Sequence, residues 1–315
     1  MNKKIMIIGG AVLDVLVRPA EPEVFSSGSY SAEEICMSTG GDALNEATVL
    51  AKLGDTPYLC TLLGEDQAGE WILEHCRRTG IQTNHIISDA SLCTGINVVL
   101  VQKDGARNFL TNPQGTLRRL GICHIPEEIP KEIGIVSLAS MFVSPALGIP
   151  EMETLFSRIK KQGKILCADM TKRKNGETLR EVSTALSYVD YLFPNQEEAA
   201  LLTEKDKAED QAREFLSCGV KHVIIKCGAL GCYLADREKG EWMRAIPTAE
   251  CVDTTGAGDC FAGGFLYALS RNRSFQECAR FANACGSLAV EKTGATAGIK
   301  GLYEAEQRER SGMSR

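Results

Sequence analysis

Apolar residues along the chain follow two rhythms: short β-rich runs, and longer stretches with helical spacing that tend to end on a glycine. Lys4 to Ile8 is an apolar run that stops at Gly9-Gly10 and predicts a first strand. AVLDVLV follows as another, with Asp14 set between Leu13 and Val15. Past Gly40-Gly41, the positions Leu44, Ala47, Val49, Leu50 and Leu53 predict a helix closed by Gly54. TPYLCTLLGEDQAGEWILEHCRRTGI reads as strand, loop, helix and glycine cap. The unit recurs in IGIVSLASMF with METLFSRIKKQG, in KILCADMT, in SYVDYLFPNQEEAALLTE and in AREFLSCGVKHVIIKCGALGCYLAD. A small strand, EWMRAI, and a long helix in RSFQECARFANACGSLAVEKTGAT complete the series. Repeated βα units predict an α/β fold, a mostly parallel central sheet with helices on both faces.

Two runs break that order. CTGINVVLVQ and ARNFLTN flank Lys103-Asp104-Gly105, a hairpin turn that has no place inside a series of crossovers. With the aperiodic segment 15–35 they predict a small second sheet built from residues 15–35 and 93–112. Residues 1–14 then begin the α/β core, 36–92 and 113–305 complete it, and 306–315 form a charged, frayed tail. Ile96, Val98 and Leu100 alternate with Asn97 and Val99, so the small sheet has one clearly apolar face that it cannot bury within itself.

Composition narrows the function classes. The chain has 315 residues, is 44% apolar and 24% charged, and carries a formal charge of -6 with a pI near 5.5. No basic stripe suited to nucleic acid is present, and no apolar run approaches a membrane span. The opening MNKKIMIIGG is too short in its apolar part for a signal peptide and reads as the first strand. Thirteen scattered cysteines without a Cys-x-x-Cys pair, and four histidines without metal spacing, point to free thiols in a reducing cytoplasm.

The chemistry concentrates in Cys251–Phe265, CVDTTGAGDCFAGGF. A helix starting near Gly256–Gly258 would aim its unpaired N–H groups at an anion, with Asp259 beside them to take a proton from a hydroxyl. The same residues would also serve as a glycine-rich turn capping a buried helix. Asp14 is costly among apolar neighbours unless it binds something, although a strand-end turn residue would look alike. Asp42 suits a solvated helix cap. Asp169, Lys172 and Arg173 cluster at one strand end. Asn195 and Glu198 have the spacing of a helix cap and its capping glutamate. No Gly-x-Gly-x-x-Gly follows the first strand and no Walker-type lysine motif occurs, which argues against a dinucleotide oxidoreductase and a P-loop ATPase.

DTTGAGDCFAGGF closely resembles the carboxy-terminal signature of the ribokinase-like (PfkB) carbohydrate kinases. Asp14, Gly40-Gly41, Asn45, the Gly64, Asp66, Gly69 element, Asn195, Glu198 and Asp253–Asp259 stand in that family's order, so the resemblance spans nearly the whole chain. It implies a ribokinase-like fold whose small sheet is a lid, and ATP-dependent phosphorylation of a sugar hydroxyl. Asp259 would be the base, with the amides of Gly256, Ala257 and Gly258 as the anion hole. Asp14, Gly40, Gly41, Asn45 and Asp169 would line the sugar, and Arg107 would either contact it or stay a solvated strand arginine. Asn195, Lys226, Gly228, Gly231, Thr254, Gly256, Gly258 and Asn283 would face ATP. Asn195 and Glu198 would hold magnesium through water, and Asp253, Thr255 and Gly294 a potassium ion. Two positions depart from the pattern. Asp42-Ala43-Leu44 replaces the Lys-Gly-Ala of ribokinases proper, and Lys226 replaces a small hydroxyl residue two places before Gly228. Lys226 would touch a phosphate or run along the nucleotide pocket to solvent. The expected activity is a fructokinase-like kinase of a neutral sugar. The alternatives are a 2-keto-3-deoxygluconate kinase, a ribokinase, a nucleoside kinase, or an inactive sugar- or nucleotide-binding protein. Two copies would pair through their lids.

Overall fold

The computed structural model describes residues 2–103 and 106–313. In chain order its strands are β1 (Lys4–Ile8), β2 (Val12–Arg18), β3 (Glu34–Gly40), β4 (Tyr58–Gly64), β5 (Gln82–Asp89), β6 (Ile96–Val101) and β7 (Arg107–Thr111), then β8 (Ile133–Met141), β9 (Ile165–Met170), β10 (Tyr191–Leu192), β11 (His222–Lys226), β12 (Cys232–Ala235) and β13 (Gly240–Met243). The helices are α1 (Asp42–Lys52), α2 (Gln67–Thr79), α3 (Ile149–Lys161), α4 (Leu179–Leu186), α5 (Gln196–Thr203), α6 (Ala208–Ser217), α7 (Ala257–Ser270), α8 (Phe275–Ala289) and α9 (Leu302–Met313).

Among the described residues, nine strands form one sheet in the order β13-β12-β11-β10-β9-β8-β1-β4-β5, parallel except at β12 and β13. The alternation of the strand decides what packs where. Ile5 and Ile7 pack in one core with Leu44, Phe265 and Phe281, from α1, α7 and α8. Met6 and Ile8 point the other way, into a core with Phe156, Leu186 and Phe215 from α3, α4 and α6. Burying each such side chain contributes about 1.5–3 kcal/mol, which is why these central strands are continuously apolar. The carboxyl ends of β1, β8, β9 and β11 open on one edge of the sheet, where an α/β crevice belongs.

β3, β2, β6 and β7 form a separate four-stranded sheet. Its strands extend beyond residues 15–35 at both ends and stay within 93–112. β2 begins at Val12 and β3 runs to Gly40, so Asp14 belongs to the small sheet and not to the core. The predicted turn at Asp104-Gly105 lies outside the described residues, while β6 and β7 pair antiparallel on either side of it. Pairing sets Asp14 beside Asn97 and Ser38, and sets Val15 beside Val98 and Met37. Asp14, Asn97 and Arg107 therefore share one face. The opposite face carries Val15, Val17, Ile35, Met37, Val98, Leu100 and Leu110, of which Ile35, Met37 and Leu110 are 68%, 50% and 54% exposed.

Three further differences from the sequence reading have physical causes. The tail expected to fray is α9, held by Arg273 on Glu309 (3.1 Å) and by Arg308 on Glu291 (2.8 Å). Its ties are charges, invisible to an apolar pattern. β5, unforeseen, is an edge strand without a continuous apolar run. α4, also unforeseen, is only eight residues long, but Thr178 and Glu181 mark its start with a capping box.

Candidate active site

α7 begins at Ala257, with Gly256 as its cap in the left-handed region at φ +69°. A Cβ on Gly256 would stand 2.3 Å from the Ala295 carbonyl oxygen, so both conformation and space require glycine. The Ala257 N–H turns back to Thr254, whereas the N–H groups of Gly256, Gly258 and Asp259 have no hydrogen-bond partner among the described residues. An unpaired set of amides at a helix start is an anion seat. One residue on, Asp259 accepts a 2.7 Å hydrogen bond from Asn45 Nδ2 at the first turn of α1. Burial, and then the charge of Asp42, push the Asp259 carboxyl well above its ordinary range, while Asn45 and Lys226 oppose them.

The crevice next to Asp259 is lined with acids and amides. Gly40 exists for Asp14, because a Cβ there would lie 1.9 Å from Asp14 Oδ2. Asp14 Oδ1 takes a 2.9 Å bond from Asn97 Nδ2, and its pKa is raised by burial against that bond. Asn97 Oδ1 is buried and has no hydrogen-bond partner among the described residues. Such an oxygen normally finds a donor, and a sugar hydroxyl would supply one. The cap of α1 is Gly41, not Asp42. Asp42 instead accepts from the Ser140 hydroxyl at the end of β8. Asn97 went unrecognised in the sequence as a site residue; its period-2 relation to Asp14 across a parallel pair is visible only once the register is known. Glu46, fully buried with Ser137 donating to it at 3.2 Å, was equally hidden inside an apolar helix stretch.

The cations do not lie where the sequence left them open. Arg107 is not a free strand arginine: it is tied to the loop that leads into α7. It donates to Thr255 Oγ1 and Asp253 Oδ1 behind the anion seat. Lys172 pairs with Glu197 on the surface at 2.9 Å, and Arg173 donates to the Glu177 carbonyl. Lys226 does not run to solvent: its ammonium sits 2.5 Å from Asp169 Oδ2. Although burial opposes its charge, Asp169 and Glu198 raise the Lys226 pKa.

At the start of α5, Asn195 and Glu198 cap each other, Glu198 N to Asn195 Oδ1 at 2.8 Å and Asn195 N to Glu198 Oε2 at 2.9 Å. Among the described residues no group of three His, Cys, Asp or Glu could hold a metal directly. A magnesium ion brought in on phosphates and keeping its waters fits beside the carboxylate of Glu198, whose cap uses one oxygen. Potassium does not fit as the loop stands. Asp253 already takes Arg107 and both donors of Thr255 on one oxygen and the Gly294 N–H on the other. Burial would push Asp253 up, but those donors hold it down at about 2. Gly228 faces open space, whereas Gly231 is fixed by the Met243 carbonyl, 2.1 Å from where its Cβ would be. Asn283 is buried, donating to the Arg244 carbonyl at 3.4 Å. Thr254 is exposed.

An anion seat facing a carboxylate that reaches a polar crevice is the geometry of a phosphotransferase acting on an alcohol. Residues 2–300 match the description pfkB family carbohydrate kinase, and the chain belongs to that family. It is an ATP-dependent carbohydrate kinase. It is 29% identical over 323 residues to the ribokinase of Staphylococcus aureus, covering 98% of this chain and 100% of that one. It is 26% identical over 310 residues to the 2-dehydro-3-deoxygluconokinase of Haemophilus influenzae, with 93% and 95% covered. The structure of Arabidopsis thaliana ribokinase complexed with ribose and ATP superposes with a TM-score of 0.82 at 28% identity, covering 98% and 99% of the two chains. No helix among the described residues is long and apolar enough to cross a membrane.

Proposed function

We propose that the acceptor is a neutral sugar, in a fructokinase-like reaction. The observation that carries this is the acceptor wall. Asp14, Asp42 and the unpartnered Asn97 Oδ1 offer hydroxyl-accepting oxygens, Asn45 stands beside Asp259, and Arg107, Lys172 and Lys226 are each held by an acid. A substrate carboxylate would meet like charge there, at a cost of several kcal/mol if unpaired. Asp259 takes the hydroxyl proton, and the amides of Gly256 and Gly258 receive the transferring oxygens. Magnesium, when bound with ATP, neutralises phosphate charge beside Asn195 and Glu198. The small sheet acts as a lid that sets Asp14 and Asn97 over the sugar and excludes water. The test is ADP release with a panel of ketohexoses, aldohexoses, pentoses, 2-keto-aldonates and nucleosides. A neutral sugar is expected to give the highest kcat/KM. Turnover confined to an aldonate or a nucleoside would refute the reading.

The lid also supports pairing of two copies. Asp14 and Arg107 lie on the face that meets the site, so the apolar face of Ile35, Met37 and Leu110 points the other way. An exposed apolar sheet face of this kind is suited to a second copy of itself. Sedimentation at micromolar concentration is expected to give about twice the 34.2 kDa chain mass. Met37→Glu is expected to return the single-chain mass, and a wild-type protein sedimenting as one chain would refute the pairing. All thirteen cysteines are free, in keeping with a cytoplasmic protein.

A further inference from the structure

Lys226 is the last residue of β11, and its side chain is only 14% exposed. Three elements converge on its ammonium. Asp169 at the end of β9 accepts from it. Glu198 in α5 and Asp259 in α7 add the charges of two more carboxylates. A Cβ on Gly258 would lie 3.4 Å from Lys226 Nζ, so the ammonium rests against the open first turn of α7, beside amides that have no partner. One buried cation thus faces three acids. A highly charged γ-phosphoryl group has to enter this same space, which makes the position of that cation decisive.

We infer that Lys226 is a catalytic residue that donates to the transferring phosphoryl group, with Asp169 as the positioning residue that aims it. This rests on the kinase reading of the site. An ammonium has three donors on a flexible stem, so one hydrogen stays on Asp169 while the others turn to phosphoryl oxygens opposite the Gly256 and Gly258 amides. As the sugar oxygen bonds to phosphorus, the bond from phosphorus to the β,γ-bridging oxygen breaks and its electron pair leaves with ADP. The hydroxyl proton goes to Asp259. Lys226 stays protonated throughout and stabilises the equatorial oxygens, where the charge spreads. It is a resident cation, present before any metal arrives, in a position where this chain departs from the small hydroxyl pattern of its family.

The test compares wild type with Lys226→Met and Asp169→Asn in the full chain. Lys226→Met is expected to lower kcat by about 10²–10³, the range for losing one preorganised donor. Calorimetry separates this from a structural role. Affinity for the β,γ-imido analogue of ATP is expected to fall about tenfold or more, while affinity for ADP, which lacks the γ-phosphoryl group, changes less than about threefold. Asp169→Asn is expected to lower kcat less than Lys226→Met and to preserve most of the preference for the analogue. Should Lys226→Met fail to fold, Lys226→Gln, which keeps a donor for Asp169, is read in the same way. Equal losses for the analogue and ADP, or a kcat within threefold of wild type, would overturn the assignment. If the wild-type protein phosphorylated no sugar, the functional reading would fall, yet the two calorimetric affinities would still decide the role of Lys226.

Discussion

Asp259→Asn is expected to lower kcat by roughly 10²–10⁴, the loss typical of removing a general base. The exchange is nearly isosteric, and the new amide oxygen can still accept from Asn45 Nδ2, now at 2.7 Å from the carboxylate. ATP affinity is therefore expected to change little. The wild-type acid limb of kcat/KM is expected above the usual aspartate range, because burial and Asp42 raise this carboxyl and it must be ionised to act. Stability carries the opposite sign. A carboxyl whose folded pKa is raised contributes stability that is complete below its unfolded pKa and is lost as pH rises through the folded one. Asparagine is neutral throughout, so the variant is expected to melt higher than wild type at alkaline pH, by about 2–4 °C for each kcal/mol relieved. Steady-state kinetics and melting curves between pH 5 and 9 check both halves. A variant keeping more than half the wild-type kcat would exclude Asp259 as the base.

Gly256→Ala comes next in size. The methyl group must enter the left-handed region and meet the Ala295 carbonyl at 2.3 Å, so the turn has to move. The amides of Gly256 and Gly258 move with it and lose their aim. kcat is expected to drop by about 10²–10³, comparable to deleting a donor from an anion hole. The acceptor wall of Asp14, Asn97 and Asn45 belongs to other elements, so the sugar affinity is expected to hold. Titrating sugar against the variant by calorimetry, next to its kinetics, distinguishes a displaced anion seat from general unfolding. A kcat within threefold of wild type would remove these amides from the mechanism.

What could be read from the sequence was whatever lies close along the chain. Gly256, Gly258 and Asp259 sit within four residues, and their local geometry follows from glycine and from the start of an apolar helix. The βα order was equally legible, since a buried parallel sheet writes itself as apolar runs. The partners of these residues were not. Asn45 and Asp259 meet across a separation of 214 positions, and Arg107 and Asp253 across 146. No periodicity reports such pairs. Asn195 and Glu198 show the reverse problem. A helix cap and a place beside phosphate need the same two residues at the same spacing, and the capping bonds are what the structure displays.

The strand Val12–Arg18 gives its alternate residues to two different tasks: Asp14 lies on the face that meets Asn97, while Val15 and Val17 lie on the opposite, apolar face. Inheritance is constrained by that parity. Substitution can tune either task alone, because neighbouring side chains answer to different surroundings. Loss or gain of a single codon within the strand would exchange the two sets, moving the carboxylate to the opposite face of the sheet and valines to the face it now occupies. Descendants of this chain should therefore vary freely in the length of the 19–33 loop, yet carry insertions and deletions within the strand only as pairs, or not at all.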